Sequence, residues 1–430
     1  MSEELFEAGA AGLGADGRAG DACDCANPQP ATETPTPRRR YFDNAASCLP
    51  TDAARSAAAA FDAQPWAGAN PNSLHADGRA AFKALQDARA CLARCLGAHR
   101  PSEVILTGGG TEANNMAVRG LARAARTKSR SQRTRVLVSA VEHESVLELK
   151  GALAADGLKL QTIAVRGDGQ LDLGDLERKL GPDVACVSVM AANNETGVIQ
   201  PLSDVVRLAR GWKVPVHTDA VQAFGHMPLA LGALGVDAAS VTAHKLGGPV
   251  GIGALWLRTR TPFEPLTFGG GQEGGLRPGT VDVRGACLFA QVASDALAHL
   301  DERRAQVQAV ADVLIEGLCA GEHPVARPSV GDVATLQATP HLPGIVSLLV
   351  DGHQSEGLIL ALDDAGFSVA GGSACSSGSL DPSHVLSAMG VPRDTALCAL
   401  RLSFDHRITC DDARDLVSAL RAICDKAGAR

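Results

Sequence analysis

The sequence predicts an α/β fold in which a largely parallel sheet is covered by helices. Short runs rich in Val and Ala, each bounded by turn residues, alternate with helix-like stretches along the chain. The 430 residues are too many for one small core and predict two domains or one large domain with an attachment. Because only 3% of the residues are aromatic, the core must be built mainly from Leu, Val, Ile and Ala.

The individual elements follow from hydrophobic periodicity and turn signals. Strands are expected at 103–110, where the run ends in a glycine turn, and at 135–140, 184–190, 214–220, 238–245 and 252–258. Helices are expected at 111–125 and 203–211. A long helical run at 285–320 leads into a second region, where a helix at 355–366 lies between strands at 345–350 and 400–405.

Composition and charge narrow down the classes of protein to which this chain can belong. Residues 1–38 are rich in Gly, Ala, Asp, Pro and Thr, and this predicts a disordered tail. The net charge of −8 argues against nucleic acid or a membrane surface as direct partners. The chain has no apolar run long enough to span a membrane and starts with the acidic MSEELFEAGA, so we expect a cytoplasmic protein without a secretory leader. Its 12 cysteines are scattered, which favours free thiols over disulfides or a metal site.

Two polar motifs follow predicted strands, where ligands bind in α/β sheets. GGGTEANN (108–115) joins a glycine turn to a helix start, whose free N–H groups suit a phosphate, with a hydroxyl from Thr111. Alone, such a turn is more often structural. HTDAVQ contains Asp219 and Gln222. Asp219 is either a cap at a strand end or a carboxylate that keeps a ring nitrogen protonated.

Two further motifs complete a pattern. In TAHK (242–245), Lys245 follows an apolar run and precedes LGGPVG, where glycines leave room for a carbonyl compound to reach its amine. A surface lysine is the ordinary alternative, but lysine is also the residue that forms Schiff bases. Asn194 in AANNETG could bond a ring hydroxyl or only shape a turn. A phosphate cradle, a pyridinium carboxylate and a Schiff-base lysine together predict pyridoxal phosphate (PLP) as cofactor.

One thiol stands apart from the rest. Cys375 lies in GGSACSSGS (371–379), among small residues only, whereas a structural cysteine usually lies in an apolar helix or strand. The composition of this stretch predicts a solvent-facing, mobile loop.

The ordered motifs resemble those of the cysteine desulfurases of the NifS/IscS type, in the class V aminotransferase group, over roughly residues 41–425. The motifs that carry the resemblance are YFDNAAS (41–47), NPNSLH (70–75), LTGGGTEANN (106–115), VEHESVL (141–147), NNETGVIQP (193–201), HTDAVQAFG (217–225), TAHKLGGPVGIGAL (242–255), GGGQE with LRPGT (269–280), GGSACSSGSLDPSHVL (371–386) and LRLSF (400–404).

The resemblance implies PLP fold type I. It predicts an N-terminal segment (39–55) that packs with the small domain, and a large PLP-binding domain (56–289) with a mainly parallel mixed sheet. It also predicts a smaller α/β C-terminal domain (290–430) that carries the mobile cysteine loop.

The resemblance also implies a role for each matching residue. As catalytic residues it gives Lys245, which would carry the cofactor as a Schiff base, Cys375, which would accept sulfur, and His143, which would stack on the ring and move protons. The phosphate would be held by Gly110, Thr111, Thr242 and His244, and by Thr280 of the neighbouring subunit of a homodimer. The ring would be held by Asp219 at its nitrogen and by Gln222 and Asn194 at its oxygen. Substrate binding would fall to Arg401, which grips the carboxylate, with Asn44 and His75 at the entrance.

The implied activity is conversion of L-cysteine to L-alanine, with the sulfur carried by Cys375 as a persulfide. The acceptor would be a protein such as an iron–sulfur cluster scaffold; no resident metal is expected beyond a transient iron–sulfur contact at Cys375. The alternatives are a selenocysteine lyase, a class V aminotransferase or β-lyase, and a non-catalytic sulfur-relay protein. Gly274 and Pro278 depart from the family's usual residues and bear on the inter-subunit contact at Thr280.

Overall fold

A large mixed sheet lies at the centre of the molecule, for which a computed structural model describes residues 39–372 and 381–428. Seven of the described strands form it. In their order across the sheet they are β2 (Val104–Thr107), β8 (Gly253–Leu257), β7 (Ala238–Thr242), β6 (Val216–Asp219), β5 (Val184–Ser188), β3 (Arg135–Ser139) and β4 (Lys159–Ile163).

The strand directions confirm a largely parallel sheet. The five strands from β7 to β4 are parallel to their neighbours, whereas β8 runs antiparallel to both β7 and β2. The six strands expected from the sequence are present, and β5, β7 and β8 are buried along their whole length, as expected for strands covered on both faces. The edge strand β4 was missed because its sequence, KLQTI, is half polar and only partly buried.

Helices cover this sheet and continue into the C-terminal region. Their bounds are α1 (Asp52–Asp62), α2 (Ala76–Cys95), α3 (Gly110–Lys128), α4 (Glu144–Leu147), α5 (Lys150–Ala155), α6 (Leu173–Lys179), α7 (Leu202–Gly211), α8 (Leu231–Leu234), α9 (Val283–Ala298), α10 (Leu300–Cys319), α11 (Val333–Ala338), α12 (Ser355–Asp364), α13 (His384–Ala388), α14 (Arg393–Ala396) and α15 (Cys410–Gly428). None of the helices in the described ranges is long and apolar enough to cross a membrane.

The expectation of one long helix at 285–320 is wrong in one respect. The run is two helices, α9 and α10, and the chain leaves helical geometry at His299, with φ −114° and ψ 17°. The apolar periodicity continues through the break because both helices bury one face, so periodicity alone does not reveal it.

Two smaller sheets lie in the C-terminal region. The strands β9 (Arg327–Pro328), β10 (Ile345–Leu349) and β12 (Ala399–Ser403) form an antiparallel sheet with β10 in the middle. The strand β1 (Arg40–Tyr41) pairs in parallel with β11 (Phe367–Ser368).

The N-terminal segment is held against these C-terminal strands by aromatic packing. Phe42 is fully buried, and its ring centroid lies 6.2 Å from that of Phe367 and 5.7 Å from that of Phe404. The residues from Arg39 onward form one compact unit, so the expected boundary between domains at 289/290 stays a prediction. The predicted tail, 1–38, lies outside the described residues.

A buried ion pair fixes the segment that follows β8. The guanidinium of Arg89 on α2 donates two hydrogen bonds of 2.6 Å to the carboxylate of Glu273 and a third, also 2.6 Å, to the carbonyl of Val104. Glu273 also accepts from the backbone N–H of Leu106 on β2, at 2.8 Å. The two charged side chains are 10% and 2% exposed. This contact ties the segment that contains Thr280 to the edge of the large sheet.

Candidate active site

A cavity of about 270 Å³ lies at the carboxyl ends of β5, β6 and β7, where polar side chains from several elements meet. Parallel strands present their carboxyl ends at the same edge, so residues that follow different strands become neighbours there. The cavity brings together ten of the predicted site residues, namely Gly110, Thr111, His143, Asn194, Asp219, Gln222, Thr242, His244, Lys245 and Arg401.

Asp219 is the last residue of β6 and is 5% exposed. One carboxylate oxygen accepts from Asn114 Nδ2 at 2.6 Å, and the other accepts from the backbone N–H of Val221 at 2.9 Å. Asn114 lies in the first turns of α3 and also donates to Ser145 Oγ, at 2.8 Å. The carboxylate is therefore fixed in orientation by neighbours while it lines the cavity.

Lys245 follows β7 and extends its amine to the N-terminal segment. Its Nζ donates to the backbone carbonyls of Ala45, at 2.5 Å, and Ala46, at 2.7 Å. Gln222 Nε2 donates to the same carbonyl of Ala45, at 2.9 Å. The two side chains thus share one wall of the cavity and hold the N-terminal segment against it.

The residues that the sequence predicts to bind the phosphate lie close together in the structure. Gly110 begins α3, and a Cβ atom built there would lie 2.9 Å from Val221 Cγ2, so the helix start approaches the strand end closely. Thr242 ends β7 and donates to the carbonyl of Ile252 at 2.9 Å. His244 Nε2 is buried and has no hydrogen-bond partner among the described residues. Burial, reinforced by the charge of Lys245, lowers the pKa of His244 to about 4, so its imidazole is neutral at pH 7.

Arg401 lies in the middle of β12 and is 1% exposed. Its Nη2 donates to Asp43 Oδ1 at 2.9 Å, and its Nη1 donates to the carbonyl of Asn194 at 3.0 Å. Its Nε is buried and has no hydrogen-bond partner within the described ranges. A buried guanidinium with a donor left over suits an anionic ligand such as a carboxylate.

His143 forms the N-cap of α4, where its Nδ1 accepts from the backbone N–H of Ser145 at 3.0 Å. The preceding residue, Glu142, is fully buried, and its Oε1 accepts from the backbone N–H of Met190 at 2.7 Å. Burial, with the nearby charge of Asp219, raises the pKa of Glu142 well above its ordinary value.

Four predicted site residues are not part of this cavity as described. Asn44 lines a neighbouring cavity, which shares Ala45, Gln222 and Lys245 with this one. His75 caps α2 through a 3.2 Å bond from the N–H of Gly78, and its side chain is exposed. Thr280 is also exposed and lies in a different surface depression, so its predicted role toward a neighbouring subunit stays a prediction. Cys375 lies outside the described residues.

The sequence reasoning missed residues that hold the predicted ones in place: Asn114, which bonds Asp219; Asp43, which bonds Arg401; and Glu195, which lines the cavity beside Asn194. Asn114 could have been found, because it lies one helical turn after Thr111 in a motif already singled out. Asp43 carried no such signal, since its partner is 358 residues away in the chain.

A family model described as aminotransferase class-V matches residues 40–416 of this chain. Among curated proteins, the IscS-like cysteine desulfurase of Mycobacterium tuberculosis is 40% identical over 369 residues, which cover 85% of this chain and 91% of the relative. The cysteine desulfurase of Cereibacter sphaeroides is 38% identical over 389 residues, covering 90% and 96% of the two chains.

The fold is shared with solved structures as well. The structure of a NifS-like protein superposes with a TM-score of 0.80 and 31% sequence identity, over 90% of this chain and 99% of that one. The similarity therefore extends through almost the whole of the described chain.

Proposed function

Because the chain belongs to the class V aminotransferase family, among its PLP-dependent cysteine desulfurases, we propose that it removes sulfur from L-cysteine, releases L-alanine and carries the sulfur on Cys375 as a persulfide. One observation supports this most directly. Lys245, Asp219 and Arg401, which come from three separate elements, all line one cavity. An amine, a fixed carboxylate and a buried guanidinium are the groups needed to hold PLP and the carboxylate of an amino acid.

The residues of the cavity fit PLP. His244 Nε2 is a buried polar atom in need of a partner, and the helix start at Gly110 and Thr111 offers backbone N–H groups to an anion. These residues, with Thr242, would hold the phosphate. When bound, the cofactor supplies an electron sink for the carbon atoms of the substrate.

Other side chains would hold the pyridine ring. Asp219 would pair with the ring nitrogen, Gln222 and Asn194 would bond the ring oxygen, and His143 would lie against the ring. Lys245 would hold the cofactor covalently through Nζ and, with His143, move protons to and from the substrate.

Arg401 would bind the carboxylate of cysteine. Its guanidinium is held by Asp43 and by the carbonyl of Asn194, so its position is set before substrate arrives. Asn44 and His75 would line the entrance through which the substrate reaches the site.

The sulfur step balances without an external oxidant or reductant. The C–S bond of cysteine breaks, and an S–S bond forms to the thiolate of Cys375. The electron pair of the C–S bond stays on carbon, which takes up a proton and becomes the methyl group of alanine. The persulfide then passes to an acceptor, for which we propose a protein such as an iron–sulfur cluster scaffold.

We further propose that the enzyme is a homodimer in which Thr280 reaches the phosphate site of the neighbouring subunit. Among the described residues, the most exposed large apolar side chains are Leu74 at 90%, Phe268 at 80% and Val250 at 73%. Phe268 lies on the same segment as Thr280, and Leu74 precedes His75. Exposed apolar side chains of this size are typical of surfaces that a partner covers.

The test is mass spectrometry of the intact protein after brief exposure to cysteine, with alanine measured alongside. We expect a gain of one sulfur, mapped to Cys375, in step with alanine formation. The variant C375S should lose the adduct, and K245A should bind PLP without forming alanine. Alanine or pyruvate without an adduct on Cys375 would indicate a lyase or transaminase. No product at all would favour a non-catalytic relay protein, and rapid turnover of selenocysteine but not cysteine would indicate a selenocysteine lyase.

A further inference from the structure

Glu195 is a buried carboxylate that none of the roles above uses. It follows β5 in the NNETG turn, lines the cavity and is 2% exposed. Its backbone N–H donates to Asn193 Oδ1 at 2.9 Å, so the turn itself is fixed. Its Oε2 accepts a 2.5 Å hydrogen bond from Ser383 Oγ. Burial of a carboxylate destabilises the folded protein unless hydrogen bonds and nearby charges compensate for the lost hydration.

The carboxylate lies close to described residues on both sides of the Cys375 segment. On one side is Gly372: a Cβ atom built on this glycine would be 3.5 Å from Glu195 Oε2, so the glycine lies near the carboxylate without a side-chain contact to it. On the other side, Ser383 donates to that same oxygen and accepts from the backbone N–H groups of Val385, at 3.1 Å, and Leu386, at 3.2 Å. Ser383 is thus the N-cap of α13, oriented by the carboxylate.

The same turn contacts the proposed substrate-binding arginine. The carbonyl of Asn194 accepts from the guanidinium of Arg401. The backbone of Arg401 pairs with Ala370, two residues before Gly372, with its N–H donating at 2.7 Å. The turn at 194–195 therefore contacts Arg401 through the carbonyl of Asn194 and contacts Ser383, which follows the cysteine segment, through the carboxylate of Glu195.

We propose that Glu195 is a positioning residue for sulfur transfer: through Ser383 it holds the C-terminal side of the segment that carries Cys375 in fixed relation to Arg401. The proposal rests on the proposed function, since it assumes that Cys375 attacks a substrate bound at Arg401. Glu195 acts through Ser383 and not on the substrate itself.

The charged and titratable groups that face Glu195 come from three elements. Arg401 and His384 favour the ionised carboxylate, and Glu144 disfavours it. His384 Nε2 lies 2.9 Å from the carbonyl of Glu142, so this imidazole has its own backbone contact. Burial raises the pKa of Glu195 more than these groups lower it. The hydrogen bond to Ser383 forms with either charge state, because a carbonyl oxygen remains as acceptor after protonation.

The test compares E195A, E195Q and S383A with the wild-type holoenzyme in a single turnover with cysteine. We expect E195A and S383A to slow persulfide formation at Cys375 about tenfold, with the KM for cysteine and the absorbance of the bound cofactor unchanged. E195Q keeps an acceptor for Ser383, so it should recover most of the rate. In E195A the amide protons of Val385 and Leu386 should exchange faster, because their cap is no longer oriented.

The matched control is D204N. Asp204 pairs with Arg207 at 2.9 Å on the surface of α7, where the two side chains are 48% and 66% exposed, so its loss should leave the rate unchanged. An E195A variant with the wild-type rate of persulfide formation would overturn the proposal, as would E195Q no better than E195A. A loss of cofactor binding in E195Q would also overturn it, because the role would then be general support of the site. Absence of alanine from the wild type would instead refute the proposed function.

Discussion

The buried ion pair between Arg89 and Glu273 provides the sharpest test of how the segment before Thr280 is held. The substitution E273Q removes the negative charge but keeps the size of the side chain. The carboxylate accepts three hydrogen bonds, two from Arg89 at 2.6 Å and one from the N–H of Leu106 at 2.8 Å. In the variant, an amide oxygen at the position of Oε2 can still accept from Arg89 Nη1 and Leu106, but the amide nitrogen then places a donor against Arg89 Nη2. Because the buried guanidinium loses its counter-charge and faces a donor, we expect the free energy of unfolding to fall by about 3–5 kcal/mol.

The assay is urea unfolding followed by far-ultraviolet circular dichroism, with PLP removed so that ligand binding does not contribute. The matched control is D87N on the same helix, α2. Asp87 pairs with Lys83 at 2.6 Å, but the two side chains are 65% and 77% exposed. Such pairs are screened by water, so D87N should lower the free energy of unfolding by less than about 1 kcal/mol.

A second variant separates charge burial from packing. In R89M/E273M both charges are removed and apolar volume is kept, so most of the loss seen in E273Q should be recovered. An E273Q variant that loses no more stability than D87N would refute the reasoning. A double variant that is less stable than E273Q would also refute it, because the ion pair would then stabilise the fold more than apolar side chains of similar volume do.

Three further predictions concern other buried residues. Burial lowers the pKa of His217 to about 3, so below pH 6.5 the unfolded chain binds the extra proton and stability is lost as pH falls. Between pH 6.5 and 5 this histidine should lower the free energy of unfolding by about 2 kcal/mol, as measured by urea titrations. In H217Q the free energy of unfolding should depend less steeply on pH. In G253A, the new Cβ would lie 2.7 Å from the carbonyl oxygen of Val241 and 2.8 Å from the carbonyl carbon of Gly109, so we expect a loss of about 1–3 kcal/mol; an unchanged urea midpoint would contradict it. Burial raises the pKa of Cys48 to about 12, so at pH 8 iodoacetamide should modify it at least a hundredfold more slowly in the folded protein than in urea, as peptide mapping would show.

Six of the seven described strands of the large sheet could be predicted because each is an apolar run bounded by turn residues; β4, which is half polar, could not. The order of the strands could not, because β8 inserts antiparallel between β2 and β7 and no local signal marks that choice. The break between α9 and α10 was missed for a related reason: both helices keep the same apolar period.

The residues of the site also divide into those that could be predicted from the sequence and those that could not. Lys245 and Asp219 were predictable because each follows its own strand in a recognisable motif. Asp43 was not, since it becomes a partner of Arg401 only when the first and last parts of the chain meet. Glu195 was quoted within a motif but given no role, because its partner, Ser383, is 188 residues away. Side chains that hold other side chains depend on tertiary contacts, and a single sequence does not encode those contacts locally.

The pairing of the N-terminal segment with the C-terminal strands determines when the site can be completed during synthesis. Arg40 pairs with Phe367, and the backbone N–H of Asn44 donates to the carbonyl of Ser403 at 3.0 Å. The large sheet has all its strands once Leu257 has left the ribosome, but the segment at 40–44 must wait for partners made more than 300 residues later. The wall that Ala45 and Ala46 form beside Lys245 therefore gains its support from the strands β11 and β12 only after Ser403 has been made.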